Sequence, residues 1–505
     1  MKKRFGAGAI TAVGLIAGLL LSPTAVSADP PTTIGTEDKN CVPGVQVDCT
    51  EITYKWKLEY HGDLSKADFS DSKLHGADLR GSKLIKTKFD RTVLKFAELQ
   101  RAKLKKAKLK RSNLKHADLT EAKLSKAGLK RANLNYAKLQ NTALTKADLR
   151  QANLNYARLT RANLDKADFG PLRESKSKKK NRTARSGYDC RPNCNGANLV
   201  GVDLVGASMS ETNFTGADLS GAFLANANVF EANFTKANLS NTNWSSETCQ
   251  KYDDDRRTEC SSTNSLRPAR VLDSNFTGAN LSNSNLKATF LDPNMTSANL
   301  SGATLGGGDN WNLEDANLTG ADLSYIYMTG NMTRANLTSA NLLGVKLPGV
   351  DLSSANLSSA NVAKGTFTGA NMTGANLNWA KGSQANMSGA NLSGADLQNA
   401  NLSQSNLTSA NLSGGELQRA TFSNSDMTGA NLSNVKMDGT TMGSVNLTNA
   451  NLRGAKVWAT SLSGANLTGA DFTGAQVIAT DLTNAITCNM IWTDGKPWEP
   501  QNCPK

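Results

Sequence analysis

Residues 390–402 read Ala390-Asn391-Leu392-Ser393-Gly394-Ala395-Asp396-Leu397-Gln398-Asn399-Ala400-Asn401-Leu402. A large apolar residue returns at every fifth position. Two places before it stands alanine, and between them Asn or Asp. The same frame spreads outward from Met332 through Leu337, Leu342, Leu352 and Phe367 to Leu377, skips one place at Gly382, and resumes from Met387 to Leu482. A step of about five matches neither a helix face at about 3.6 nor a plain strand at about 2.0. A short period held over this length marks a solenoid.

The large residue at the centre of each unit and the small residue two before it share parity, so on a short extended segment both face inward and the Asn or Asp faces out. The two residues after the centre must turn the chain, and Ser, Thr, Asn and Gly suit that task. Each unit is then one straight side and one corner, and successive coils stack at about 4.7–4.9 Å. Burying each centre is worth roughly 1.5–3 kcal/mol, most of it consumed by ordering the backbone, so stability has to come from stacking. The number of sides is suggested by a near-repeat. Arg131-Ala132-Asn133-Leu134-Asn135-Tyr136-Ala137-Lys138 returns as Gln151-Ala152-Asn153-Leu154-Asn155-Tyr156-Ala157-Arg158, an offset of four units and hence a square coil.

The Ala-Asp/Asn-Leu-x-x pattern resembles the pentapeptide-repeat family and covers most of the chain. The resemblance implies an all-β fold: a right-handed quadrilateral β-helix with about four repeats per coil, the central and small residues inward. It says little about function, because a fold does not fix a job. The family's best-known members resemble duplex DNA and block DNA gyrase through an acidic surface. This chain departs from them in a basic first block and an export signal.

Lys2, Lys3 and Arg4, the apolar run from Ala7 to Leu21 and the small residues Val26-Ser27-Ala28 predict a signal peptide over residues 1–28, too short in its apolar part for a membrane span. No transmembrane span is expected after cleavage, and a secreted or cell-surface location is the expectation. The remaining chain divides into a cap segment (29–60), a basic repeat block (61–170), a basic Cys-containing loop (171–196), a second repeat block (197–244), a Cys-containing insertion (245–270), irregular repeats with frame slips (271–330), a long repeat block (331–485) and a C-terminal cap (486–505). One long solenoid interrupted by loops is favoured over two joined by the basic loop.

Eight cysteines fit an exported protein. They fall into local pairs that suggest disulfides: Cys41 with Cys49, Cys190 with Cys194, Cys249 with Cys260, and Cys488 with Cys503. A zinc site at Cys190 and Cys194 is the alternative, but no His lies near them. No metal or cofactor is expected, since the chain carries no phosphate loop and no zinc-protease motif. Of its three histidines, His61, His75 and His116, His116 has no evident Ser or Cys nucleophile context, and no catalytic set is assigned.

The formal net charge is +14, and the first repeat block is the strongly basic one. Applying the twenty-residue coil aligns Lys86, Lys106, Lys126, Lys146 and Lys166 in one column and Arg91, Arg111 and Arg131 in the next. Phe96, His116, Tyr136 and Tyr156 form a third. Adjacent lysines at one strand spacing repel by about 0.9 kcal/mol in water before salt screening, which is tolerable. No acidic column is expected beside them. Such a field suits an elongated polyanion or an anionic protein of the cell envelope, with the aromatics stacking on rings. A plainer role is to keep a repetitive surface soluble. The expectation is an exported, non-enzymatic, rod-shaped binding or scaffold protein of open oligomeric state. Alternatives are a topoisomerase-interacting DNA mimic and a β-helix carbohydrate-active enzyme.

Overall fold

The computed structural model of the protein describes residues 63–169, 196–246, 268–499 and Cys503, together with the backbone of four short strands, Ile34–Thr36, Lys39–Cys41, Cys249–Lys251 and Thr258–Cys260. The expected signal peptide, nearly all of the N-terminal cap segment and the basic loop, and most of the 245–270 insertion lie outside the described residues. So do Cys49, Cys190 and Cys194. The first two short strands pair antiparallel, as do the last two, which set Cys249 opposite Cys260 along the backbone.

One unit shows why five residues suffice. The Asn391 N–H donates to Ala370 O in the coil before (2.9 Å), and Leu392 and Gly394 donate to Asn411 O and Ser413 O in the coil after (2.6 and 2.9 Å). Ala395 closes the corner by donating back to Leu392 O at 3.0 Å. The remaining N–H, of Ser393, donates to the Asn391 side chain at 3.2 Å. Every backbone donor of the unit is satisfied, which a buried wall requires. This explains the Asn or Asp before each centre: its side-chain oxygen caps the turn two residues on. The same amides also bond between coils, Asn411 to Asn391, Asn431 to Asn411 and Asn451 to Asn431, at 3.0, 3.0 and 3.1 Å. The outward position is therefore structural as well as exposed.

Parallel bridges run at intervals of twenty residues, from Asp63↔Lys83 to Asp148↔Asp168 and again over most of the final block. The result is a four-sided β-solenoid, all-β, with no helix among the described residues. The ladder crosses the basic loop by pairing Asn153 with Asn198 and Asp168 with Asn213. It crosses the second insertion through Asn233↔Asn275. Both interruptions enter at corners, where Ala197 donates to Phe169 O (2.7 Å) and Ala269 to Trp244 O (3.0 Å) in place of the usual tight turn. The frame slips are short coils. Vertical partners stand 19 apart at Asn280 and Asn299, 18 apart at Asn299 and Asn317, and 20 apart again by Asn361. There one side runs as true strand, Asn228–Phe230, Arg270–Leu272, Thr289–Leu291, Gly308–Asn312 and Met328–Asn331 stacking into a five-stranded parallel sheet.

The core is a continuous pile of the central residues with the small ones. Where the small residue is Ser or Thr, its hydroxyl donates to a centre's carbonyl, either in the preceding coil, as Thr92 does to Phe69 O and Thr460 to Met437 O, both at 2.6 Å, or at its own corner, as Ser112 does to Leu109 O at 2.8 Å. Aromatic centres stack at the coil pitch: Phe169, Phe214, Phe234 and Phe276 succeed one another at 4.8 Å. The missing centre at Gly382 leaves no hole, because a Cβ there would collide with Leu402 Cδ2 and lie 3.0 Å from Val362 Cγ2. At the C-terminal end, Ile486 and Ile491 still pair with Asn466 and Asp471. Trp492 then packs between Phe472 and Trp498, at 5.7 and 4.2 Å. Cys488 and Cys503 form a disulfide there.

Candidate anion-binding surface

The corner bond from each fourth residue to the centre, with a positive φ on the second residue after the centre, is the arrangement of a type II turn. That corner position is left-handed, a conformation that Gly or Asn adopts with least strain. The long final block accepts this and places Gly at many corners, among them Gly389, Gly394, Gly464 and Gly469. The first block does not. From Lys86 to Lys166 no corner carries Gly, and the left-handed residues there are largely basic or aromatic.

The three expected columns are all built from these corners. The Lys86 N–H donates to Lys105 O, Lys106 to Ser125 O, Lys126 to Thr145 O and Lys146 to Asp165 O, at 2.8–3.1 Å. Each lysine therefore stands one coil from the next, with φ of 58–61°. Arg91, Arg111 and Arg131 occupy the next corner with φ of 56–60°. The third corner carries a stack of four rings. Phe96 and His116 lie 4.9 Å apart at 3°, His116 and Tyr136 5.2 Å at 7°, and Tyr136 and Tyr156 5.1 Å at 15°.

The expectation of cations without acidic neighbours needs correction. Arg91 is ion-paired with Asp71 one coil earlier in its own column, and this pairing holds the Asp71 carboxyl below its ordinary range. Lys166 meets Glu211 at 2.6 Å, and the hydrogen bond raises the lysine above its ordinary value. Arg131 donates to the Gln151 side chain at 2.8 Å. On the fourth corner Arg101 meets Glu121 at 2.8 Å. On the faces, Lys83 and Lys88 hold Asp63 and Asp68, whose carboxyls fall to about 2 chiefly through those bonds. Lys86, Lys106, Lys126, Lys146 and Arg111 form no ion pair among the described residues. Of the cations in the expected columns, those left open are thus Lys86 to Lys146 and Arg111.

Several residues at this surface escaped the sequence reading. His75 meets Phe96 edge-on at 5.4 Å, and the Lys95 ammonium stands 5.0 Å from the Phe96 ring centre. Gly201 seats the far end of the stack: a Cβ there would lie 2.7 Å from the Tyr156 ring. Counting twenty back from Phe96 would have reached Gly76, the neighbour of His75. Counting forward from Tyr156 fails, because the loop intervenes. Two lone aromatic corners farther on, Tyr325 and Trp379, are 71% and 63% exposed. Their signal was an aromatic where neighbouring corners carry small residues. Among the described residues, no group of three or more His, Cys, Asp or Glu is placed to hold a metal, and no helix is long and apolar enough to cross a membrane.

His116 is held below the ordinary imidazole value, first by burial within the stack and then by Lys115 and Lys95. The fold therefore favours neutral His116. Its contribution is present above about pH 6.5 and is lost as pH falls from there through the lowered value. An NMR titration should place its midpoint below about 6.5, with Lys115→Ala moving it upward. A midpoint at or above that value would contradict the stacked placement.

The pattern of the family described as pentapeptide repeats (8 copies) matches residues 63–95, 97–135, 132–170, 193–229, 273–309, 294–330, 312–353, 351–381, 385–424, 405–443, 416–454 and 446–486. No curated protein sequence matches the chain. Among solved structures, it is similar to HetL, a pentapeptide repeat protein involved in heterocyst differentiation regulation from the cyanobacterium Nostoc sp. strain PCC 7120. That match is 23% identical, covers 53% of this chain and 92% of HetL, and has a TM-score of 0.26. QnrB1, a plasmid-mediated fluoroquinolone resistance protein, is 16% identical over 46% of this chain and 90% of its own, with a TM-score of 0.25. A pentapeptide repeat protein from the Arabidopsis thaliana thylakoid lumen is 34% identical over 20% of this chain and 69% of its own, with a TM-score of 0.15. With the repeat pattern matched over well more than half of its residues, and each regular coil built from four five-residue sides, the chain belongs to the pentapeptide-repeat family.

Proposed function

We propose that the protein is an exported, non-enzymatic binding or scaffold protein whose basic N-terminal repeat block contacts an anionic polymer or another anionic component of the cell envelope. One observation carries this reading. Between Lys86 and Lys166 all the corners but Asn141 and Gln151 hold charged or aromatic side chains in a left-handed backbone where Gly would sit with less strain. A chain selected only for a stable shaft has no reason to keep them there. The lysine column is straight, exposed and spaced at one coil, as a linear polyanion requires. The rings on another corner of the same coils cover one another's faces, so they present edges and not the ring-stacking platform expected from the sequence, an apolar rib beside the cations. Export rests on the first 28 residues and favours wall polymers and acidic glycans over nucleic acid.

The test is a binding titration of the mature full chain against a linear anionic glycan, an anionic wall polymer and duplex DNA. Affinity should fall steeply with salt. For about five contacts to duplex DNA, the loss between about 50 and 200 mM is roughly two to three decades. Binding to none of the three at low salt, or binding indifferent to salt, overturns the proposal. Turnover of an acidic polysaccharide would overturn its non-enzymatic part. A reporter fused after residue 28 and retained in the cytoplasm would overturn export.

A further inference from the structure

The lysine corner does not end at Lys166. That residue donates its N–H to Ser210 O at 2.8 Å, which brings Glu211 onto the same corner one coil later. Glu211 in turn donates to Phe230 O (2.7 Å), Glu231 to Leu272 O (3.1 Å) and Asp273 to Leu291 O (3.1 Å). Glu231, Asp273 and Asp292 therefore continue the line. The two insertions hide this order from the sequence, because they separate vertical partners by 45 and then 42 residues. One edge of the solenoid thus carries six lysines, from Lys66 to Lys166, and then four carboxylates, changing sign once. All ten side chains are exposed. Glu211 is paired with Lys166, whereas Glu231, Asp273 and Asp292 form no ion pair among the described residues.

We propose that this edge pairs with the same edge of a second copy of the chain, antiparallel, about a two-fold axis at the level of Lys166 and Glu211. Turning one copy over brings Lys146 opposite the partner's Glu231, Lys126 opposite the partner's Asp273, and Lys106 opposite the partner's Asp292. Each of these contacts is made twice. The register is shared because both halves of the edge are ruled by one coil pitch, so a single correct pair aligns the rest. A parallel copy in register would set lysine against lysine. A parallel copy slid along the shaft would leave half of each edge unmatched and would grow into an open filament, whereas the two-fold contact closes. Phe230, Leu272 and Leu291 precede the carboxylates and give the lysine stems an apolar strip to lie along. The inference does not depend on the polyanion proposal.

The experiment is sedimentation of the mature full chain and two charge-reversed variants. One carries Lys106→Glu, Lys126→Glu and Lys146→Glu. The other carries Glu231→Lys, Asp273→Lys and Asp292→Lys. The unaltered chain should be dimeric at about 50 mM salt and dissociate at about 500 mM, where the Debye length shrinks to a few ångströms. Each variant alone should be monomeric, and an equimolar mixture should recover the dimer. That recovery also shows that both variants fold. A monomeric unaltered chain at low salt, a variant that dimerises alone, or a mixture that stays monomeric overturns the proposal, as does a concentration-dependent filament. The acid-reversed variant keeps every lysine of the first block, so it separates the two ideas: it loses the dimer yet still binds a polyanion if the first reading holds.

Discussion

Replacing Phe234 with alanine is expected to destabilise the solenoid by about 3–5 kcal/mol. The ring lies 4.8 Å from Phe214 and 4.8 Å from Phe276, nearly parallel to both, with Trp244 edge-on at 6.1 Å. Its removal strips partner atoms from three aromatic side chains at once. The surrounding walls are fixed by the bridges Asn213↔Asn233 and Asn233↔Asn275, so they have little freedom to close over the void. In a stacked array each coil contacts only its neighbours, so the lesion weakens the coupling between the coils on its N-terminal side and those on its C-terminal side. Denaturant unfolding monitored by far-UV circular dichroism should show a lower midpoint and a separation into two transitions. A shift below about 1 kcal/mol with one sharp transition would mean that the aromatic pile is not what couples the coils.

The second large effect concerns binding. Replacing Lys86, Lys106, Lys126, Lys146 and Lys166 together by Gln should flatten the salt dependence of polyanion binding by about five units of log slope. At about 150 mM salt it should abolish measurable association. Stability should hold or rise, since adjacent lysines in the column repel by about 0.9 kcal/mol before screening. Of the five, only Lys166 loses an ion pair among the described residues. Lysine-to-arginine replacement at the same positions should restore most of the binding. Unchanged affinity in the Gln variant would remove this column as the site and leave the arginine and aromatic corners as the remaining candidates.

The fold was legible because the five-residue period is a direct image of one side and one corner. The near-repeat around Tyr136 and Tyr156 also gave the number of sides, and those two rings do stack. What escaped was whatever depends on backbone handedness or on broken counting. Nothing in the letters Lys126 or Arg111 announces a left-handed corner, because Gly, the usual marker, is absent there. Asp71 was legible by the same twenty-residue arithmetic that aligns Arg91 with Arg111, since it stands one coil before Arg91 in that column. Glu211 was out of reach, since the inserted loop moves it 45 residues from Lys166. The coils of 18 and 19 residues likewise read as slips, although the walls stay in register through side-chain amides that periodicity does not reveal.

The way the two insertions enter has a consequence for the cargo this scaffold can carry. Ala197 and Ala269 each reach back to the preceding centre across a long detour, and the bridges on either side keep their alignment. A corner thus behaves as a socket: guest sequence enters and leaves at nearly the same point, and the lattice around it is undisturbed. Epitopes, enzymes or affinity tags grafted after any outward corner should be held at heights set by the coil pitch, which makes the shaft a molecular ruler for presenting them.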